Sequence, residues 1–485
     1  MKQARLIIRD EVNVKIEGLD LTERRTLVNR FKYEDPRARF LPSVRLGRWD
    51  GKVQFFQLGG SSYVNLLPEI LPYLDEQGYS IDLDDQRDYN NSYSFTELTA
   101  DRYSHVLWPA GHPRAGTSIE FRDYQVELVN NFLRNPQCIQ EVATGAGKTL
   151  ITAALSDAVG AYGRSIVIVP NKDLVRQTEA DYLNMGLDVG VYFGDRKDHA
   201  HQHVICTWQS LNNILKNSQD SVGWVTMGEF LQDVVCIIVD EVHMAKADVL
   251  KTMLTGAMAH IPIRWGLTGT VPKEQFEYQA LHVSLGPVIS RLSASELQDR
   301  GVLAQCHVNV VQLIDHREYS NYQSELKYLL EESGRLDAMA ELIRGISETG
   351  NTLVLVDRIS AGNAILQRVP DAVFVSGGTK STERKEHYDE VATASTKTII
   401  ATYGVAAVGI NIPRIFNLVL VEPGKSFVRV IQSIGRGIRK AEDKDFVQIW
   451  DITSTCKFAK RHLTKRKAYY REAKYPFTQE KLEWQ

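Results

Sequence analysis

Short, wholly apolar runs alternate with helix-length stretches twice over in this chain, and that alternation constrains the fold more than any other feature. In the first series the runs are Ile139–Val142, Ile166–Val169, Val204–Thr207, Val234–Val239 and Arg264–Leu267, with helical patterns after Gly147, Asn171 and Met244. In the second they are Leu353–Val356, Val373–Val375, Thr398–Ala401, Leu418–Val421 and Val447–Trp450, preceded by a helical stretch over 318–349. A strand that is apolar on both faces must be covered on both, and helices crossing over between parallel strands do this. The expected fold class is therefore α/β: two tandem domains, each a parallel, doubly wound sheet. Residues 1 to about 85 alternate strand and helix on a smaller scale, with strands at Leu6–Ile8, Val12–Ile16 and Val53–Phe56 and helices from near Leu21 and Pro68. The expected division is a small α+β N-terminal domain over 1–112 that includes an acidic linker over 75–112, domains over 113–300 and 301–455, and a basic tail over 456–485.

Composition narrows the function classes. The 485 residues are 43% hydrophobic and 24% charged, as in ordinary globular chains. The formal net charge of −3 does not announce a nucleic-acid binder, so any such contact must come from local patches. No apolar run nears the roughly 18 residues of a membrane span. The opening MKQARLIIRD lacks the apolar stretch of a secretion signal. No membrane partner and a cytoplasmic location are expected. The five cysteines, at 138, 206, 236, 306 and 456, form no CxxC pair and read as buried free thiols of a reducing compartment.

Three motifs carry chemistry. Ala143-Thr-Gly-Ala-Gly-Lys-Thr149 follows a short strand and opens a helix, the context of a phosphate loop. Gly145 and Gly147 let backbone N–H groups face phosphates, aided by the positive end of the helix dipole. Lys148 would reach the β- and γ-phosphates, and Thr149 would offer its hydroxyl to Mg²⁺. The motif departs from GxxxxGK[ST], since Val142 stands where the first glycine belongs. Asp240-Glu241-Val242-His243 ends the most apolar strand, and ligand-binding groups gather at such strand tips. There Asp240 would hold Mg²⁺ through its water shell, and Glu241 would orient the attacking water and accept its proton. Finally, Arg436 and Arg439 lie three residues apart in Gln432-Ser-Ile-Gly-Arg-Gly-Ile-Arg439 and would share one helix face. Two guanidiniums so placed suit the charge on a transferred phosphoryl group, although a solvated basic turn has the same spacing.

The ordered set resembles the complete motif series of the superfamily 2 DExH helicases. Around the three motifs it adds Phe121-Arg-Asp-Tyr-Gln125, Ile168-Val-Pro170 with Gln177, Thr207-Trp-Gln-Ser-Leu211, Thr268-Gly-Thr270, Leu353–Asp357, Ala401-Thr402-Tyr-Gly404 and Gly409-Ile-Asn-Ile-Pro413, so the series spans 121–439. Asn351–Arg358, Gly409–Arg414, Val430–Arg439 and Gly47-Arg-Trp-Asp-Gly-Lys52 are worded like the UvsW group of phage branched-DNA helicases. The resemblance implies two RecA-like P-loop domains closing on one ATP with Mg²⁺. It implies ATP binding by Phe121, Arg122, Gln125, Thr144, Gly145, Ala146, Gly147, Lys148, Thr149 and Gly409, with Gln125 on the adenine edge. Gln432, Arg436 and Arg439 would complete that site, and His243, Thr268, Gly269 and Thr270 would couple it to the nucleic-acid track. Pro170, Asn171, Gln177, Thr207, Trp208, Arg358, Gly377, Thr402, Tyr403 and Gly404 would lie along that track. One departure is Asn411, where many relatives carry Asp.

Two basic segments are candidate contacts. Between Arg24 and Lys52 nine basic residues face three acidic ones, with Phe31, Tyr33, Phe40 and Trp49 interleaved. Trp49, in a turn between strands, is the candidate base-contacting wedge; a core role for the aromatics fits equally well. Lys457–Lys474 holds eight basic residues and one acidic one. The function expected is an ATP-dependent DNA helicase that unwinds, migrates or remodels forks, junctions and D- or R-loops in phage-type replication, recombination and repair. It would act as a monomer, with single-strand-binding or recombination proteins as partners. A duplex translocase, an RNA helicase and a non-catalytic nucleic-acid-binding protein stay open as alternatives.

Overall fold

The computed structural model describes residues 2–87, 92–110, 114–217, 225–242, 247–405, 412, 414–441 and 443–484. The chain divides into two compact units, one of Met1–Glu141 with Gly147–Arg291 and one of Leu292–Gln485 with Val142–Ala146.

The first unit is built on an eight-stranded sheet. Its spatial order is Arg196–Lys197, Val189–Phe193, His203–Thr207, Arg164–Val169, Val234–Val239, Ile263–Thr268, Gln137–Val142 and Val288–Leu292. Val234–Val239 lies between Arg164–Val169 and Ile263–Thr268 and is parallel to both. The two apolar faces of this strand are buried, which is why its sequence does not alternate. Helices Lys148–Val159 and Lys172–Asn184 are among those flanking the sheet. Asn171 starts the second of these, its Oδ1 accepting the backbone N–H of Asp173 and of Leu174 at 3.0 Å each.

Strands Ser61–Tyr63, Asn13–Glu17, Lys2–Ile8 and Tyr79–Asp85 form a separate four-stranded sheet in that order. Its core is not its own. Leu6, Leu27, Phe55 and Ile70 share one buried cluster with Phe276, Ala280 and Val283 of the helix Gln275–Leu285. Asn13 Nδ2 donates to the Thr255 carbonyl at 2.9 Å, and Gln137 Nε2 to the Glu11 carbonyl at 2.9 Å. The N-terminal segment is thus fastened to the eight-stranded body by packing and by hydrogen bonds. Beneath it, the fully buried Arg264 donates to the carbonyls of Ser284, Met258 and Ile261, tying two helix ends together.

The second unit has a seven-stranded sheet ordered Ala372–Val375, Thr398–Thr402, Thr352–Val356, Asn417–Val421, Phe446–Ser454, Gln305–Leu313 and Phe477–Leu482. Neighbouring strands in it are all parallel. Each unit therefore carries a RecA-like α/β domain.

The segment 456–485, expected as a basic tail, has regular structure. Lys457–Glu472 is a helix and Phe477–Leu482 is an edge strand paired to Gln305–Leu313. The fully buried Glu325 holds the helix N-terminus, accepting from the backbone N–H of Phe458 at 3.0 Å and of Ala459 at 2.7 Å. Arg466 grips Asp451 with two bonds, at 2.8 and 2.9 Å, and Tyr470 adds a third at 2.7 Å, all buried. A run of eight cations conceals four buried positions, Ala459, Leu463, Arg466 and Tyr470. All five cysteines are buried free thiols. Among the described residues no helix is long and apolar enough to cross a membrane.

Removing one partner of a buried ion pair strands the other, at a cost of about 3–5 kcal/mol. Arg466→Ala is therefore expected to lower unfolding free energy by that amount in urea titration; a loss below about 1 kcal/mol would show that the helix is held by other means.

Candidate active site

The strand Gln137–Val142 runs directly into the glycine-rich loop. Val142, which replaces the expected first glycine, is the last strand residue and is fully buried. Gly145 and Gly147 have φ of +94° and +83°, values that L side chains rarely adopt. Gly147 is the left-handed residue from which the helix Lys148–Val159 begins. A Cβ at Gly147 would stand 2.5 Å from Gln125 Nε2, so the Gln125 amide lies directly against the loop. Gln125 is buried, and its Oε1 accepts the Arg122 backbone N–H at 2.9 Å. Phe121 is buried against Tyr103, at 5.5 Å between ring centroids. Arg122 donates to the Tyr124 hydroxyl at 2.9 Å.

Lys148 Nζ meets Glu241 Oε1 at 2.8 Å, each side chain only 10% exposed. Glu241 has φ of +50°, an αL conformation that is uncommon outside glycine. Its backbone N–H donates to Asp240 Oδ1 at 2.8 Å. The other carboxylate oxygen, Oε2, accepts the Gly269 N–H at 3.3 Å. Gly269 is held in a tight turn by Thr268, whose Oγ1 donates to the Thr270 carbonyl at 2.8 Å and accepts the Thr270 N–H at 3.2 Å. The structure thus joins Gln125, Gly147, Lys148, Asp240, Glu241 and the Thr268–Thr270 turn, drawn from four separated stretches of sequence.

Two glycines with positive φ ahead of a helix N-terminus, with an ammonium beside them, form a cradle that fits polyphosphate. Thr149 and Asp240 supply one hydroxyl and one carboxylate. That donor set fits Mg²⁺, which takes its remaining ligands from water and phosphate. No cluster of three or more His, Cys, Asp or Glu among the described residues offers a metal cage.

The expected track residues are placed as follows. Pro170 and Asn171 follow the tip of the Arg164–Val169 strand. Asn171 Nδ2 has no hydrogen-bond partner among the described residues. Thr207 is buried and its hydroxyl lies 3.0 Å from Ser210 Oγ at the start of the helix Trp208–Asn217. Gln177 is exposed and Trp208 half-buried. In the second unit Arg358 donates to Gln323 at 3.1 Å, Gly377 and Gly404 are exposed, and Thr402 ends its strand. Tyr403 follows the end of that strand and is buried, at 3% exposure. His243 and Gly409 lie outside the described residues, as do the side chains of Gln432 and Arg436. Trp49 is half-buried and donates through Nε1 to the Lys52 carbonyl at 2.9 Å, whereas Phe40 and Leu46 on the same excursion are 61% and 65% exposed.

One residue escaped the sequence altogether. Lys444 is 2% exposed and donates to the carbonyls of Gly437 and Arg439 at 2.7 and 2.8 Å, closing the end of the helix Phe427–Gly437. Burial, reinforced by the nearby Arg439, lowers its pKa to about 7. A lysine amid Arg-Lys-Ala-Glu-Asp-Lys gives no hint of burial.

Two RecA-like domains in tandem, the first bearing a phosphate loop beside a strand-end Asp-Glu pair, define the class: the chain is a superfamily 2 helicase, an ATP-driven enzyme. Residues 118–273 match the family model of the type III restriction enzyme res subunit, and 334–441 that of the helicase conserved C-terminal domain. The chain resembles UvsW, an ATP-dependent DNA helicase of Enterobacteria phage T4, with 25% identity over 90% of this chain and 88% of that protein. It is also similar to the DNA 3'-5' translocase XPB2 of Sulfurisphaera tokodaii, at 24% identity over 50% of this chain and 52% of that one. A fragment of a putative HsdR subunit of a type I restriction enzyme from Vibrio vulnificus shares the fold, with a TM-score of 0.56 at 18% identity over 75% of this chain and 69% of that one.

An alanine at position 147 would hold a strained left-handed φ and displace the Gln125 amide. Gly147→Ala is expected to weaken ATP binding about tenfold or more in a fluorescent-nucleotide titration, while unfolding free energy falls by no more than about 2 kcal/mol. Unchanged affinity would dissociate Gln125 and the loop from nucleotide binding.

Proposed function

We propose that this chain is an ATP-dependent DNA helicase that remodels branched DNA, and that the site above hydrolyses the ATP. The observation that carries the proposal is the Glu241 carboxylate, which pairs with Lys148 through one oxygen and takes the Gly269 N–H on the other. In this reading the γ-phosphate displaces Glu241 from Lys148. The freed carboxylate then orients a water and accepts its proton as the water oxygen attacks the γ-phosphorus. ADP leaves with the electrons of the broken bond. Lys148 and the loop N–H groups hold the phosphates, and Gln125 contacts the adenine edge. Mg²⁺, held by Thr149 and through Asp240, would offset negative charge on the β- and γ-phosphates. Arg436, Arg439 and Gln432 act on the transferred phosphoryl group from the second domain, and Gly409 contributes to the same nucleotide site.

The Thr268–Thr270 turn touches Glu241 directly, so a shift of that turn changes the position of the base. We assign it, with His243, to coupling. Pro170, Asn171, Gln177, Thr207, Trp208, Arg358, Gly377, Thr402 and Gly404 follow one strand. The DNA assignment is supported by UvsW and XPB2, whose names give DNA as their substrate. The branched-DNA assignment is supported by motif wording and by the excursion around Trp49, where exposed Phe40 and Leu46 sit among arginines. Apolar side chains there can enter an opened base step at a fork. Branch migration re-forms one base pair for each one broken, so a modest motor suffices.

Glu241→Gln should bind ATP normally and lower DNA-stimulated turnover by about 100-fold or more; a normal rate would remove Glu241 from the role of base. ATPase stimulation compared across single strands, duplex, forks, four-way junctions and RNA should be greatest with forks or junctions. Greatest stimulation by plain duplex without strand separation would identify a duplex translocase, and no stimulation by any nucleic acid would leave a non-motor protein.

A further inference from the structure

The second unit holds a pocket of about 510 Å³ that none of the helicase motifs lines. On one side runs the loop Pro423–Ser426, on the other the helix Lys457–Glu472. Three cations reach it, Lys425, Arg461 and Lys465, and among the described residues no carboxylate lines it. All three are exposed, and Arg461 lies 5.8 Å from the centre of the Phe458 ring. A cleft lined by charges of one sign raises the local concentration of the opposite ion, here an anion. The remaining wall is aromatic. Tyr322 packs edge-on against His462, at 4.8 Å between centroids, and lies 6.3 Å from Phe458. Burial, reinforced by Arg466, Lys425 and Lys465, lowers the His462 pKa to about 4, so at neutral pH its ring is uncharged and offers an aromatic face.

The pocket is braced from beneath. Arg466, already locked to Asp451, donates through Nη1 to the Gly424 carbonyl at 2.7 Å. Tyr469 donates to the Lys425 carbonyl at 3.1 Å. The same loop opens the eleven-residue helix Phe427–Gly437, whose N-terminal dipole end adds to the positive field.

We propose that this pocket binds single-stranded DNA, with an unpaired base against Tyr322, Phe458 and His462 and the flanking phosphates on Lys425, Arg461 and Lys465. This pairing of cations with aromatic faces is what strand-tracking, sequence-tolerant sites use. The inference rests on the nucleic-acid role proposed above and names a contact outside the motif track. The loop that carries Lys425 leads straight into the helix of Gln432 and Arg436, so a strand held here is about two to three helical turns of chain from the residues assigned to ATP.

The test is fluorescence anisotropy with a labelled single-stranded oligodeoxynucleotide over a range of salt concentrations. The pocket triple K425Q/R461Q/K465Q is compared with a charge-matched control, K327Q/K460Q/K481Q, whose lysines are exposed and line no part of the pocket. The six positions are on the surface, and thermal melting checks that both variants stay folded. The pocket triple should weaken binding about tenfold and flatten the slope of log K against log salt by about 2, at roughly 0.7 for each phosphate no longer neutralised. The control should keep most of the wild-type slope. Phe458→Ala should weaken binding about fivefold or more with the salt slope unchanged, because it removes stacking and no charge. Equal effects of the two triples, or none from the pocket triple, would overturn the pocket while leaving the helicase assignment intact. A wild-type chain that binds no single strand and no duplex would overturn both.

Discussion

The ion pair between Lys148 and Glu241 is the contact on which the rest of the active site depends. Both side chains are almost wholly removed from water, so their attraction is stronger than a surface pair's and each charge would be costly alone. The pair joins two places that the sheet alone keeps apart, the loop after Gln137–Val142 and the tip of Val234–Val239, which are separated by the strand Ile263–Thr268. The turn following that intervening strand then closes the gap, because Gly269 reaches Glu241 from between them. A parallel sheet delivers this arrangement without special provision: its strands all end on one edge, and whatever follows them must meet there.

The same edge carries left-handed backbone at three positions. Gly145, Gly147 and Glu241 all have positive φ, and only the last has a side chain that must be held in that state. A carboxylate carried on a left-handed residue cannot relax with its backbone unless its partners let go. Lys148, Asp240 and Gly269 are those partners, so the orientation of Glu241 is tied to whatever occupies the phosphate loop.

Much of this was legible in the sequence, for a physical reason. Strands buried on both faces are mostly apolar, so runs such as Val234–Val239 and Thr352–Val356 stand out without any alignment. The glycines and charged residues at their ends stand out against that apolar background. Strands that escaped notice lacked the contrast. Val189–Phe193 is wholly buried but is interrupted by Gly190, and Phe477–Leu482 is mostly exposed and carries Gln, Glu and Lys on an edge. Burial of single charged residues was equally invisible: Arg264, Arg335, Arg466 and Lys444 are enclosed by carbonyls or carboxylates that only the folded chain brings round them. A motif gives a residue's place on a strand end but not the direction of its side chain, which is why the burial of Tyr403 was not visible either.

The C-terminal edge strand has a consequence for how the second domain comes into being. Gln305 pairs with Phe446 and Val308 with Phe477, so the strand that begins this domain is among the last to acquire its neighbours. Closing such wide loops costs chain entropy before any contact rewards it, which makes the step slow. During synthesis Gln305–Leu313 must wait, apolar and unpaired, until the ribosome has released nearly everything that follows. Most of the first unit lies before Arg291 and can already be folded by then, whereas Val142–Ala146, the start of the phosphate loop, packs with residues made later.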